Sequence, residues 1–346
     1  MDGLPFAFIV LLVGFFARGA NMLTALMLCT LFGATATFSL PGGAPITPAV
    51  LLLPFLVYAA QAERGLDGSL RFMSVGSAGF WLAMLVLWGA LSAVFLPRVL
   101  AGMMLVRGSD RTLTGVPLLP LQPMMTNLSQ TAYAFGGLFT FISVSALLAV
   151  PGRLERFGNA VLWLAAADCF AALLNLGELY LGLPSVLDYV RNAGYAIMVG
   201  GEIGGLLRIS GTFSETSAFS SFSLPLLAFC ASLWHDGVRP RYSGALAAFL
   251  LLLLLGSTSS TAYAGLGVYA ACLAAAAALR ALFGLREIRF GKLTVLLWGV
   301  AVAVCIVLLL RPDIGERIVD YFQLTLVRKL DSSSAAERGS WNEQAW

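Results

Sequence analysis

The chain has 346 residues, of which 59% are apolar and 11% charged, with a formal net charge of +3 and a mean hydropathy of +0.87. Soluble domains carry about 25% charged residues, so this composition excludes a water-soluble globular protein. The sparse charge also excludes the dense Lys/Arg patch that nucleic-acid binding requires.

In chain order, apolar runs separated by short polar joints predict an all-α, polytopic transmembrane helix bundle of about ten spans, with extracytoplasmic loops carrying short helices. A span needs about 20 apolar residues to cross a hydrocarbon core about 30 Å thick. The predicted spans lie near 4–17, 20–38, 46–62, 78–97, 130–150, 159–181, 215–234, 243–257, 261–283 and 293–310. The first run is short and is cut from the second by Arg18-Gly19, and the third carries Pro48 and Pro54. Half-helices, a tilted hairpin or a nine-span bundle are therefore alternatives at this end. Asp2 precedes the first run without a basic region or a cleavage site, so that run is expected to stay as a helix. Residues 1–310 form the predicted transmembrane bundle and 311–346 the start of a large periplasmic loop.

Basic residues in short loops favour the cytoplasmic side. Arg153 and Arg156, Arg239 and Arg241, and Arg280, Arg286, Arg289 and Lys292 occupy three tight joints, each two spans from the next. All three are expected on the cytoplasmic face. The opposite face then receives segments 98–129, 182–214 and 256–260 and everything after Arg311. Those segments carry Arg98, Arg107, Arg111, Arg191, Arg208, Arg328, Lys329 and Arg338, either as solvated loop residues or as contacts to an anionic ligand.

The five cysteines (Cys29, Cys169, Cys230, Cys272, Cys305) all fall inside apolar runs without CxxC spacing, and read as small buried hydrophobes. No metal site is expected. Two acids, Asp168 and Glu178, lie within the sixth predicted span, where ionisable groups are costly and are usually paired or functional. Glu178 is near the outer end, where it can face an outer cavity. Asp168 is deeper, where it can hydrogen-bond a neighbouring helix.

The segment Arg208-Ile-Ser-Gly-Thr-Phe-Ser-Glu215 precedes the seventh span. Thr212 and Glu215 have capping-box spacing, so a helix is expected to start there. Its N-terminus and Arg208 would suit a phosphate or pyrophosphate, with Gly211, Thr212 and Ser214 at the approach. A cap plus a packed glycine-rich loop is the alternative. The turn Ser257-Thr-Ser-Ser-Thr261 offers hydroxyls that either satisfy helix ends or hold sugar hydroxyls, Ser257 and Ser259 among them. Near the C-terminus, Ser334 and Glu337 repeat the capping-box spacing, so Arg338, Trp341 and Asn342 would share one face of a helix outside the membrane. A phosphorylated sugar or solvent would meet that face. The single histidine, His235, reads as a cytoplasmic loop residue.

Three stretches together resemble the successive signatures of bacterial O-antigen ligase and polymerase-type proteins: R-x-x-G-T-F-S-E-x-S at 208–217, the S-T-S-S-T turn, and K-L-x-S-x-S-x-x-E-R-x-x-W-N at 329–342. The motifs cover roughly 200–346, and the earlier helices match by hydropathy alone. The resemblance implies a multi-pass protein of the bacterial inner membrane that works at its periplasmic face as a glycosyltransferase. Its donor would be a glycan on undecaprenyl pyrophosphate and its acceptor a growing glycan, without a cofactor, nucleotide sugar or metal. Polysaccharide export or assembly proteins would be further partners. The resemblance carries an essential role to Arg208 and Arg338, with Arg191 as a further candidate; Glu215 is read as the acid/base contact to the acceptor hydroxyl, and Gly211, Thr212, Ser214, Ser257, Ser259, Ser334, Trp341, Asn342 and Glu178 are substrate-binding candidates from their own positions. The GTFSE form points toward exopolysaccharide polymerases. A ligase onto lipid A core or protein is the alternative, and a lipid-linked glycan transporter or flippase is the rival of another class. A transporter would show internal repeats with broken helices, and none is apparent. The sequence departs from the ligases in having no histidine besides His235, and it reaches only the first motif of the large loop by Trp346, so a longer parent chain is expected.

Overall fold

The structure is a computed structural model of the chain, described here for residues 3–39, 45–107, 118–194 and 206–283 and for the single positions 197, 199, 202 and 203. The described residues are mostly helical: α1 (Leu4–Phe16), α2 (Ala20–Thr30), α3 (Pro48–Leu70), α4 (Ala78–Val99), α5 (Met125–Leu148), α6 (Arg153–Leu181), α7 (Thr216–His235), α8 (Pro240–Gly256) and α9 (Ser260–Leu282). Three short antiparallel hairpins interrupt them: β1 (Phe38–Ser39) with β2 (Pro45–Ile46), β3 (Leu105–Arg107) with β4 (Leu118–Pro120), and β5 (Glu202–Ile203) with β6 (Leu206–Leu207). The predicted tenth span at 293–310 and the segment 311–346 lie outside the described residues.

Among the described residues, five helical segments are long and apolar enough to cross a membrane: Pro48–Met73, Ala78–Val99, Met125–Leu148, Arg153–Leu181 and Thr216–His235. Four more, Leu4–Phe16, Ala20–Thr30, Pro240–Gly256 and Ser260–Ala276, are apolar but shorter. At 1.5 Å per residue, the 13 residues of α1 and the 11 of α2 reach only about 20 and 16 Å, less than a hydrocarbon core.

The second predicted span, 20–38, is corrected by the structure, because its helix ends at Thr30. The reason lies in Gly33-Ala-Thr-Ala-Thr37, which is too small to fill an apolar stripe and instead bonds through its polar groups. Thr37 donates through both N–H and hydroxyl to the Ile46 carbonyl (2.8 and 2.6 Å), and the Ala36 N–H donates to Asn192 Oδ1 (2.7 Å). The third predicted span runs past residue 62. It tolerates Pro54 and continues to Leu70 across a break at Gly65, whose φ of 67° only glycine adopts readily. Arg153 belongs to the first turn of α6, rather than to a joint ahead of it, and pairs there with Glu63.

Two compact units make up the chain: residues 1–161 with 192–195, and 162–191 with the chain from 196 onward. In the first, Leu23, Leu26, Leu52, Leu56, Ala60 and Leu147 form the main buried cluster. Helix α4 there buries Gly79, Ala83 and Val86, a spacing of four then three that places small residues against α5. Its aromatic residues recur every seven positions on the open side, where Trp81, Trp88 and Phe95 are 65%, 69% and 58% exposed. Large apolar side chains in a continuous outward stripe are the surface of a membrane protein, since water would penalise such a patch.

A candidate site on the loop between α6 and α7

The candidate site belongs to the second unit and is built on the C-terminal half of α6. After Leu181 the chain reverses through Gly182, and the Leu183 N–H donates back to the Gly177 carbonyl (3.2 Å). A 3-10 turn, Val186–Val190, follows and delivers Arg191. The β5–β6 hairpin then leads into residues 208–215 and the start of α7.

Two side chains tie this loop down. Asn175 is 1% exposed, and its Oδ1 accepts from the Ser210 N–H (2.8 Å), the Gly211 N–H (3.1 Å) and the Ser210 hydroxyl (3.4 Å). Its Nδ2 donates to Glu178 Oε2 (3.1 Å), one turn along α6. Arg191 is 6% exposed and grips the next peptide along: Nε donates to the Gly211 carbonyl (2.8 Å) and Nη2 donates to the same oxygen. Its Nη1 meets Glu178 Oε2 at 3.4 Å and Asp188 Oδ1 at 3.9 Å. Burial pulls the Arg191 guanidinium below its usual pKa, while the Glu178 and Asp188 carboxylates pull it up.

Gly211 is thus held from both faces. Its φ is +56°, and a methyl group there would stand 3.3 Å from the Phe219 ring, so both conformation and space call for glycine. Phe213 packs against Phe219 and Phe222 beside it.

Arg191, Gly211 and Glu178 are therefore brought into one network, with Asn175 and Ser210 as members that sequence reasoning missed. The available signal was an asparagine inside an apolar span, three residues before an acid on the same helix face. Arg208 follows β6 directly, and its buried Nε has no hydrogen-bond partner. The second carboxylate oxygen of Glu178, Oε1, is likewise buried and unpartnered. Thr212 is buried and Ser214 half-buried.

The expected capping box is not formed. Helix α7 starts at Thr216 with Glu215 itself at the N-cap in extended conformation, so Glu215 sits ahead of the helix rather than in its first turn. Exposed there, Glu215 accepts a hydrogen bond from the Ser217 hydroxyl. Thr212 lies too far upstream to cap, because residues 210–213 form their own turn, Phe213 N–H to Ser210 carbonyl at 3.0 Å.

The hydroxyl turn between α8 and α9 is in the same unit. Ser257 gives its hydroxyl to the Leu254 carbonyl (2.7 Å), the helix-end role. Thr258 and Ser259 are buried, and their hydroxyl oxygens are unpartnered. Asp168 is fully buried and accepts from the Ser223 hydroxyl on α7 at 2.6 Å, which is the helix-to-helix bond foreseen for it. Arg338, Ser334, Trp341 and Asn342 lie outside the described residues. Among the described residues no group of three His, Cys, Asp or Glu side chains converges as a metal site would.

Comparison with known proteins finds no matching family model, no matching curated protein and no matching solved structure.

Proposed function

We propose that this chain is a membrane glycosyltransferase of the exopolysaccharide or O-antigen polymerase type, which transfers glycan units from a lipid pyrophosphate to a growing glycan. The observation that carries the reading is the α6–α7 loop. Asn175 and Arg191 fix its Gly211 peptide, while Arg208, three residues upstream, keeps a buried Nε without a protein partner. An arginine on a braced backbone with unused donor capacity suits an oxyanion, and the 208–217 motif supports a pyrophosphate as that oxyanion. Arg191, with its guanidinium committed to protein groups, acts as a positioning residue.

In this reading the acceptor hydroxyl oxygen attacks the anomeric carbon, the bond from that carbon to the diphosphate oxygen breaks, and the hydroxyl proton passes to the exposed Glu215 carboxylate. Charge accumulates on the departing diphosphate, where a preorganised cation lowers the barrier most. Arg208 and Arg338 supply it. The bundle lies in the bacterial inner membrane, with Arg153, Arg239 and Arg286 cytoplasmic and Arg208, Glu215 and Arg338 periplasmic.

Chain length of the polysaccharide, read on a gel at matched expression in cells carrying the gene, tests the proposal. Arg208→Ala is expected to cut transfer about a hundredfold or more, corresponding to roughly 3 kcal/mol for a lost transition-state donor. Arg208→Lys restores part of it, since an ammonium carries charge without the planar fork that grips phosphate. Arg241→Ala, on the opposite face, leaves chain length unchanged. Full-length polymer from Arg208→Ala overturns the proposal.

A further inference from the structure

We propose that the turn between α8 and α9 is a second phosphate-binding element, in which the Thr258 and Ser259 hydroxyls and the N-terminus of α9 take an oxyanion of a phosphate or diphosphate. Ser259 has the extended backbone of an N-cap, with φ −105° and ψ 123°, the position from which a serine hydroxyl ordinarily accepts from the first-turn N–H groups of a helix. Yet it makes no cap hydrogen bond, and its hydroxyl oxygen, on a residue 1% exposed, has no partner. Thr258, 3% exposed, repeats the pattern with a buried, unpartnered hydroxyl. Two adjacent buried hydroxyls without partners at a 23-residue helix's N-terminus are costly in a bare fold, and an anion accepting from both removes the cost.

The backbone points the same way. Thr258 has φ +56°, a left-handed conformation that a β-branched residue avoids, and such residues cluster where a ligand is clamped. Were the turn only a connector, glycine or asparagine would serve it better. The element also adjoins the loop already described, since a methyl built on Gly256 would stand 4.0 Å from Ile209 Cδ1, next in sequence to Arg208. Phosphate oxygens are the ligand chemistry that hydroxyls, helix N–H groups and an arginine share. That the phosphate belongs to a lipid-linked glycan rests on the transferase reading, whereas the site itself does not.

The test uses the full chain in lipid nanodiscs, titrated by calorimetry with farnesyl pyrophosphate and, separately, inorganic pyrophosphate. The expected result is saturable binding that the double variant Thr258→Val, Ser259→Ala weakens at least tenfold, about the effect of one lost hydrogen bond to a charged group. Ser232→Ala, whose hydroxyl serves the Ala228 carbonyl at the far end of α7, binds like the wild type. Thr258→Gly removes a hydroxyl while relieving the left-handed strain, so it weakens binding with an unchanged or raised melting temperature. Tighter binding of farnesyl pyrophosphate than of pyrophosphate supports a lipid headgroup as the source, and equal binding supports a free anion. Absence of binding by the wild type overturns the inference, as does wild-type affinity in the double variant or loss that only tracks a fallen melting temperature. The two readings separate cleanly. A double variant that binds normally beside an inactive Arg208→Ala removes the turn and leaves the transferase. Weakened binding beside a fully active Arg208→Ala does the reverse.

Discussion

The loop between α4 and α5 and the loop between α6 and α7 share a plan, since each follows a long apolar helix, carries arginines and folds back through a two-stranded hairpin. They differ in what holds them. In the first, all three positions of β4 are exposed, and the described hydrogen bonds stay within the hairpin, Gly102 N–H to the Leu121 carbonyl and Leu121 N–H to the Met104 carbonyl, both at 2.9 Å. Arg98 there donates to the Val94 carbonyl of its own helix. In the second, Asn175 and Glu178 of α6 reach up into the loop, and Arg191 closes on a peptide 20 residues away. Arginines on a loop therefore say little by themselves. A buried amide and a carboxylate at the end of the supporting helix are what distinguish a braced loop from a solvated one.

The comparison breaks most sharply at Arg191. Arg191→Ala strands the Glu178 carboxylate and frees the Gly211 carbonyl, and removal of one partner of a buried ion pair costs about 3–5 kcal/mol. The purified protein in detergent should show a large drop in melting temperature, whereas Arg98→Ala, on an exposed backbone-bonded arginine, should stay within about 0.5 kcal/mol of wild type. Equal effects of the two would erase the distinction.

Asn175→Leu comes next. It is close in volume but removes the acceptor of two backbone N–H groups, leaving buried donors unsatisfied at about 1–3 kcal/mol each. Loss of proteolytic protection across 206–215, with α6 intact, is the expected signature. Unchanged protection would mean that the loop holds itself. The smallest effect is expected from Gly211→Ala, about 1–2 kcal/mol for forcing an L-residue to φ +56° against the Phe219 ring. Transfer should fall more than stability does, because the strained peptide is the one that Arg191 and Asn175 position.

Much of this arrangement was legible in the sequence where hydropathy or a charge inside an apolar run speaks. The start of α4 and the starts and ends of α7, α8 and α9 fall within a few residues of the predicted spans, and Asp168 bonds across helices as an intramembrane acid must. The stretch after Thr30 was not legible, because Gly33-Ala-Thr-Ala-Thr37 reads as apolar while its hydrogen bonds draw it into a hairpin with Ile46. Thr212 and Glu215 satisfied a spacing rule that the chain does not use, since the turn at 210–213 consumes the residues the cap would need. Asn175 was passed over because its partners, 35 and 36 residues away, are visible only once the loop folds back. Thr258 was legible only as one hydroxyl of the 257–261 turn, because a hydroxyl's lack of a partner is a property of three dimensions.

Reconstitution of the protein in nanodiscs with an undecaprenyl-pyrophosphate-linked glycan, following release of undecaprenyl pyrophosphate and growth of the glycan together, tests the transferase reading most directly. Release and elongation are expected in equal amounts, without a nucleotide sugar, abolished by Arg208→Ala and retained by Arg241→Ala. In proteoliposomes, movement of the intact glycan lipid from one leaflet to the other, with no undecaprenyl pyrophosphate released, would contradict it and make the braced loop part of a transporter.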